Sequence, residues 1–117
     1  MQDYRRLRIW QKAHRFALRV YGATAKFPAS ERFGLTNQLR RACVSIGSNL
    51  AEGCARGSDP DFRRYLNIAH GSASEAHYQL LLARDLGMLG NSDYVDLSGM
   101  LDEIRRMLWA LSEKLKA

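Results

Sequence analysis

The sequence predicts an all-α protein, an up-down-up-down antiparallel four-helix bundle. Three observations carry that expectation. Apolar residues recur at steps of three and four in four separate stretches, with no strand-like alternation and no internal repeat. Only two prolines occur, Pro28 and Pro60, and both fall between helical patterns. The 117 residues are 46% hydrophobic, which fits a single domain, residues 1–117, whose core needs neither metals nor disulfides.

Helix one is expected from about Tyr4 to Lys26, with Ile9, Trp10, Ala13, Phe16, Ala17, Val20 and Thr24 on its apolar face. Arg5, Arg8, Lys12, Arg15, Arg19 and Lys26 gather within about 80° of arc on another face. The segment contains no acidic residue, so this basic face is either matched by acids on a neighbouring element or left for an anion. A simple solvated face is the plain alternative. Leu7, Leu18 and Tyr21 lie off the core face and are interface candidates. Phe27-Pro28 ends the helix, and Ser30 to Gly34 forms a turn in which Ser30 can cap one short helical turn.

Helix two, Leu35 to Arg56, is the stretch around which the chain is organised. Leu35, Leu39, Cys43, Ile46, Leu50 and Cys54 make one apolar face. Arg41, Ser45, Ser48, Glu52 and Arg56 make a second stripe, in which two small hydroxyls sit between an arginine and a glutamate. Small residues on a second face suit close packing against a second neighbour, as inside an assembly.

Helix three has the clearest start signal: Ser58 or Asp59 as cap, Pro60 at the first helical position and Asp61 at the positive end of the helix dipole. Its core face is Phe62, Tyr65, Leu66, Ala69, Ala73, Ala76, Leu80 and Ala83. Gly71 suggests a place where another backbone comes close, because a helical glycine costs about 1 kcal/mol relative to alanine. Ile68, Gly71, Glu75, Leu82 and Leu86 form a second stripe, read as a subunit contact. Gly87 and Gly90 mark the following turn. Helix four begins near Ser92 or Asp93 and runs to about Lys116, with Leu97, Leu101, Ile104, Leu108, Leu111 and Leu115 as a heptad seam and Trp109 outside it.

The net charge of +6 is uneven: residues 1–58 hold 11 basic and 3 acidic side chains, residues 59–117 hold 7 and 9. Such asymmetry fits an anionic partner on one surface, or charge pairing between helices or subunits. Cys43 and Cys54 lie about 16 Å apart along one helix, too far for a disulfide, and are expected to be small core residues in a reducing compartment. The N-terminal stretch lacks the apolar run of a signal peptide, and no segment approaches the ~20 apolar residues of a membrane span. A soluble, cytoplasmic protein with no membrane partner is expected.

Signals for chemistry are poor. His14 stands alone, and His70 and His77 are seven residues apart, about 10 Å along the axis and too far to share a metal. Neither Glu52 nor Glu75 has a histidine three residues on, as a di-iron bundle requires, and no Gly-rich phosphate loop is present. No serine or cysteine has an evident base. No enzyme, cofactor or metal site is expected. Glu52 and Glu75 sit among small and hydroxyl residues, either as a binding site or as structural carboxylates held by Arg41, Arg56 and hydroxyl donors.

Two runs of residues carry a family resemblance. The first is Phe33-Gly34-Leu35-Thr36, Gln38-Leu39-Arg40-Arg41-Ala42, Ser45-Ile46, Asn49, Ala51-Glu52-Gly53 and Arg56; the second is Phe62, Leu66, Ala69, Gly71-Ser72 and Glu75. Together they resemble the bacterial four-helix-bundle proteins encoded in intervening sequences of 23S ribosomal RNA genes. The resemblance runs from Trp10-Gln11-x-Ala13 to the leucine seam of helix four, with two departures, Leu50 for the commoner Ile and Gly47 where Pro is frequent. It implies a ring-like homopentamer of four-helix bundles without enzymatic activity. The chain is also similar to the basic pentameric accessory protein of diversity-generating retroelements, which works with a reverse transcriptase and nucleic acid. The signature residues carried over are Arg41, Ser45, Asn49, Glu52, Arg56, Gly71, Ser72 and Glu75, serving assembly or ligand binding; Ser48 joins them from the small-residue stripe.

The reading that follows is a non-enzymatic homo-oligomer that binds nucleic acid, RNA ahead of DNA, through Arg5, Arg8, Lys12, Arg15 and Arg19. The alternative is a protein-interaction scaffold or accessory subunit that docks a protein partner through its small-residue stripes.

Overall fold

In a computed structural model, which describes residues 3–116, the chain forms four α-helices: α1 (Arg8–Thr24), α2 (Leu35–Cys54), α3 (Asp59–Asp85) and α4 (Asn91–Lys114). Each helix packs on its neighbours in sequence, and α1 also packs on α4, closing the bundle. Contact registers run in opposite senses at every seam. Ser45 meets Ser72 while Arg56 meets Tyr65; Lys12 meets Glu103 while Arg19 meets Asp96; Arg63 meets Ser112 while His77 meets Asp102. Neighbouring helices are therefore antiparallel.

The core is what the periodicity predicts. Ile9, Ala13, Phe16 and Val20 of α1 are buried, as are all six apolar positions of α2 and seven of the eight of α3, Tyr65 being half-buried. Alanines at 69, 73, 76 and 83 are fully enclosed, so α3 sits close to its neighbours. Burial pushes the Cys43 thiol up to about 12 and raises that of Cys54. Both thiols are free, and neither is a ready nucleophile.

Several local expectations are corrected. Helix one is not continuous from Tyr4: Tyr4–Arg6 is a separate 3-10 turn, and Leu7 is extended. Asp3 causes the break, because its carboxylate accepts from the Arg5 backbone and caps the short turn. Ser30 lies inside a second 3-10 turn, Ala29–Glu31, and caps nothing; Glu31 instead accepts from the Leu35 backbone N–H at 3.1 Å and caps α2. Helix two ends at Cys54 rather than Arg56. Ser58 caps α3 by accepting from Asp61 N, and Asp59 takes the first helical position, with Pro60 second rather than first. Helix four starts at Asn91 after Gly90, one residue before Ser92 and two before Asp93, the expected starts.

At the end of α1, Arg40 of α2 reaches across and donates to Thr24 Oγ1 (2.8 Å) and the Tyr21 carbonyl (3.3 Å), supplying a cation at the negative end of the helix dipole. Gly87 adopts φ +77°, which lets Met88 and Leu89 fold back and donate to the Ala83 carbonyl. The heptad seam of α4 holds through Leu108 and then shifts: Leu111 and Leu115 are half-buried, and Ser112 takes the buried place.

Candidate functional site

The basic residues of the N-terminal segment do not form one free surface. Arg5 is held by Asp3 through two side-chain bonds of 3.1 Å, and this bonding keeps the Asp3 carboxyl below the usual carboxylate range. Lys12 donates to Glu103 of α4 at 2.7 Å, and Arg19 lies 3.9 Å from Asp96 one helical stretch away. The Lys12 hydrogen bond is also the main reason that the Glu103 carboxyl is held down, with Arg8 and Arg106 adding to the effect through space. Arg8 and Arg15 are exposed, and among the described residues no carboxylate pairs with either. Acids on α4 therefore match part of this face, at Lys12 and Arg19, and leave Arg8 and Arg15 without such a partner among the described residues.

On the other side of α1 an aromatic cluster forms. Trp10 stacks on His14, with centroids 4.9 Å apart and planes 8° from parallel, and the Tyr4 ring meets its edge at 4.9 Å. These rings wall a cleft of about 280 Å3 between α1 and α2 whose floor includes Cys43. Gly47 lies against the indole: a Cβ there would sit 3.5 Å from Trp10 Nε1. α2 passes through Gly47 as unbroken helix.

Of the signature residues, Ser45, Asn49, Glu52, Arg56 and Ser72 gather at the α2–α3 seam. Ser45 and Ser72 share a hydrogen bond of 2.8 Å, and Asn49 donates to both the Ser45 carbonyl and its hydroxyl. Arg56 donates to Glu52 (3.1 Å) and to the Tyr65 hydroxyl (2.8 Å), and its guanidinium lies over the Tyr65 ring. Glu75 accepts from Gln79 at 3.1 Å. Arg41 and Ser48 stand exposed on the outer side, and Arg41, offered as a partner for the two glutamates, pairs with neither among the described residues. Among the described residues nothing lies within 4 Å of a Cβ built on Gly71, so no backbone among them approaches it. Gly53 is the close-approach glycine: a Cβ there would lie 2.9 Å from Phe62 and 3.0 Å from Tyr65.

Sequence reasoning missed Gln79, which lies on the seam, is 5% exposed and leaves its Oε1 without a partner. A glutamine one turn after Glu75 on the stripe was its only signal. α2 and α3 also carry exposed apolar side chains: Val44, at the α1–α2 cleft, and Ile68 are nearly half exposed, and Tyr78 is 60% exposed.

The family model described as 23S rRNA-intervening sequence protein matches residues 5–110 of the chain. A crystal structure from Bacteroides thetaiotaomicron, described as a protein with unknown function from the S23 ribosomal protein family, is 27% identical; the two superpose with a TM-score of 0.82 over 88% of this chain and 96% of that one. Among curated proteins no match to the chain is found.

Proposed function

The chain belongs to the 23S rRNA-intervening sequence protein family, and from that premise we propose that it is a non-enzymatic helical bundle that binds structured RNA through its phosphates. The observation that supports this reading is the pair Arg8 and Arg15, exposed on α1 without carboxylate partners among the described residues, on the strongly basic half of the chain. Phosphate contacts of this kind give affinity with little sequence specificity. Lys12 and Arg19 join only by leaving Glu103 and Asp96, so they add less. The chain works as a homo-oligomer, for which the family resemblance implies five copies, and repetition multiplies the few free cations around a ring. The two free thiols fit a reducing, cytoplasmic setting.

The test is anisotropy of labelled RNA hairpins against the Arg8→Glu/Arg15→Glu variant, titrated over salt. Affinity is expected to fall more than tenfold, and the log–log salt slope by about two, with assembly intact. Unchanged affinity and slope overturn the reading.

A second reading, a scaffold whose working surface is the α2–α3 outer face, is favoured by Ile68, an apolar side chain nearly half exposed on α3, and by the exposed small residue Ser48 on α2. It predicts that Ser48→Arg or Gly71→Leu breaks assembly or partner docking, while RNA affinity in the unaltered protein is weak and lost near ~150 mM salt.

A further inference from the structure

The structure assigns a second role to the groove between α3 and α4, at the bundle end where α3 begins and α4 finishes. We propose that this groove is a subsite for one unpaired nucleotide, its base stacked on Trp109 and its phosphate held by Arg63, Arg64 and Lys114. The inference rests on the RNA reading above and names which part of an RNA is taken here.

The groove consists of two adjoining clefts, of about 380 and 540 Å3, that share Arg63 and Asn67. These volumes lie in the range of small-ligand sites. One cleft is walled by Trp109, His70 and Leu108; the other is lined by Arg63, Arg64, Lys114 and Lys116. From Arg63 to His70 is seven residues, about 10 Å of helix axis, so a cationic end and an aromatic end stand side by side in one trough.

Three features separate this trough from ordinary surface. First, it is anchored from below by a buried polar residue. Ser112 is 5% exposed at a position where the helix otherwise buries leucine, and both of its polar groups are used on the groove. Its carbonyl accepts from Arg63 Nε at 3.1 Å, and its hydroxyl donates to Asn67 Oδ1 at 3.1 Å. Arg63 is thereby held by its Nε, with Nη2 lying 3.7 Å from Glu113 and Nη1 left for a ligand, and Asn67 keeps its amide N–H groups for an acceptor on a base edge. A buried hydroxyl here weakens the core; it makes sense as support for groups held in place before a ligand arrives.

Second, the cations outnumber their partners. Glu113 is shared between Arg63 (3.7 Å) and Lys116 (3.8 Å), and Asp59 stands in the first turn of α3, at the positive end of its dipole. Among the described residues Arg64 and Lys114 have no carboxylate partner. Third, the two tryptophans of the chain differ. Trp10 is flanked by Tyr4 and His14, whereas Trp109 is 52% exposed, with no ring or cation packed on it among the described residues. An open indole face beside a phosphate-sized cluster of cations is the arrangement by which single strands are gripped, since each base has a face to stack and each linkage a charge to neutralise. A duplex, whose bases are already stacked, gains only the charge contacts.

The test uses the full-length protein near 150 mM salt, with tryptophan emission compared between the unaltered protein and Trp109→Phe. A 10-mer of oligo-uridylate, a blunt RNA duplex of equal length and uridine 5′-monophosphate are the probes. The single strand is expected to quench emission in the unaltered protein and not in Trp109→Phe, with the duplex producing little change. In a parallel anisotropy titration Trp109→Ala is expected to weaken single-strand binding roughly 5- to 100-fold and leave duplex binding unchanged. Asn67→Ala, which keeps the charge, should weaken the single strand without altering the salt slope. If RNA binds and neither emission nor affinity depends on Trp109, the subsite is overturned while the RNA reading stands. If no RNA binds but the mononucleotide quenches Trp109 emission, the site is one for free nucleotides, and the RNA reading falls instead. If neither probe acts, both fall.

Discussion

Ser45 and Ser72 meet across the α2–α3 seam with their hydroxyl oxygens 2.8 Å apart. The contact ties together the two runs of signature residues, one on each helix, and Asn49 adds a second donor to the Ser45 hydroxyl at 3.0 Å. Hydroxyls here satisfy one another and let the helices approach closely, where longer polar side chains would hold them apart. Ser45→Ala and Ser72→Ala are each expected to lower stability by about 0.5–1.5 kcal/mol. In a double-mutant cycle read by urea unfolding, the pair should show a coupling of at least ~0.5 kcal/mol. A coupling near zero would mean that the two serines act separately and that the seam is held by its apolar contacts alone.

Two helical glycines predict opposite outcomes for the same substitution. Gly53→Ala places a methyl 2.9 Å from the Phe62 ring and 3.0 Å from Tyr65 Cβ, and the second of these belongs to the stem of the side chain, not a movable tip. Overpacking of this kind costs ~1–3 kcal/mol and outweighs the gain of ~1 kcal/mol in helix propensity. Gly71→Ala meets nothing among the described residues and should stabilise the protomer by up to ~1 kcal/mol. Thermal unfolding at several protein concentrations checks both. Destabilisation at Gly71 that grows with concentration would place a second copy against that glycine, as the stripe of small residues anticipates.

Helix identity was legible because burial follows periodicity: every apolar position assigned to α2 is buried. The start of α3 was legible because Ser58, Pro60 and Asp61 each act locally on the first turn. What escaped depends on partners far away in sequence or on a single atom. The basic face of α1 could not be divided into paired and free cations, since the acids that pair Lys12 and Arg19 sit on the last helix. Ser112 was hidden by leucines on either side of it; a strict heptad chooses Leu111, while the real helix, at 3.6 residues per turn, drifts to bury the next residue. Leu7 looked helical until Asp3, one residue outside the basic run, was seen to cap a separate turn. Gly71 invites a close neighbour, and none is found among the described residues; Gly53, where no such neighbour was expected, has one.

The Lys12–Glu103 pair links acidity to both stability and binding. Its hydrogen bond lowers the native carboxyl below the ordinary glutamate range, so the unfolded chain binds that proton more readily than the native one. The stabilisation is therefore complete above the ordinary glutamate value and is lost as pH falls through the lowered native value. Glu103→Gln should destabilise at pH 7 and by less at an acidic pH below the ordinary glutamate range, measured by urea midpoints. The same change frees Lys12, so it should raise RNA affinity a few-fold if α1 carries the phosphate contacts, with a steeper salt slope. Equal destabilisation at both pH values would show that Glu103 acts by packing and not by charge.

Gln79 gives the sharpest test of whether the seam is complete in a single chain. Its amide nitrogen donates to Glu75, yet the side chain is almost wholly enclosed and its Oε1 finds no donor. A buried acceptor without a partner costs ~1–3 kcal/mol, while the bond to half-open Glu75 returns about 1 kcal/mol or less. Methionine has nearly the same length and shape without the polar atoms, and it adapts to irregular space. Gln79→Met should accordingly be neutral or stabilise by ~1 kcal/mol, seen as a higher urea midpoint with an unchanged slope. Destabilisation beyond ~1 kcal/mol would mean that the carbonyl does have a donor, from solvent or from a second copy. Repeating the measurement across protein concentration separates those two sources, because only a donor on another copy makes the loss grow with assembly.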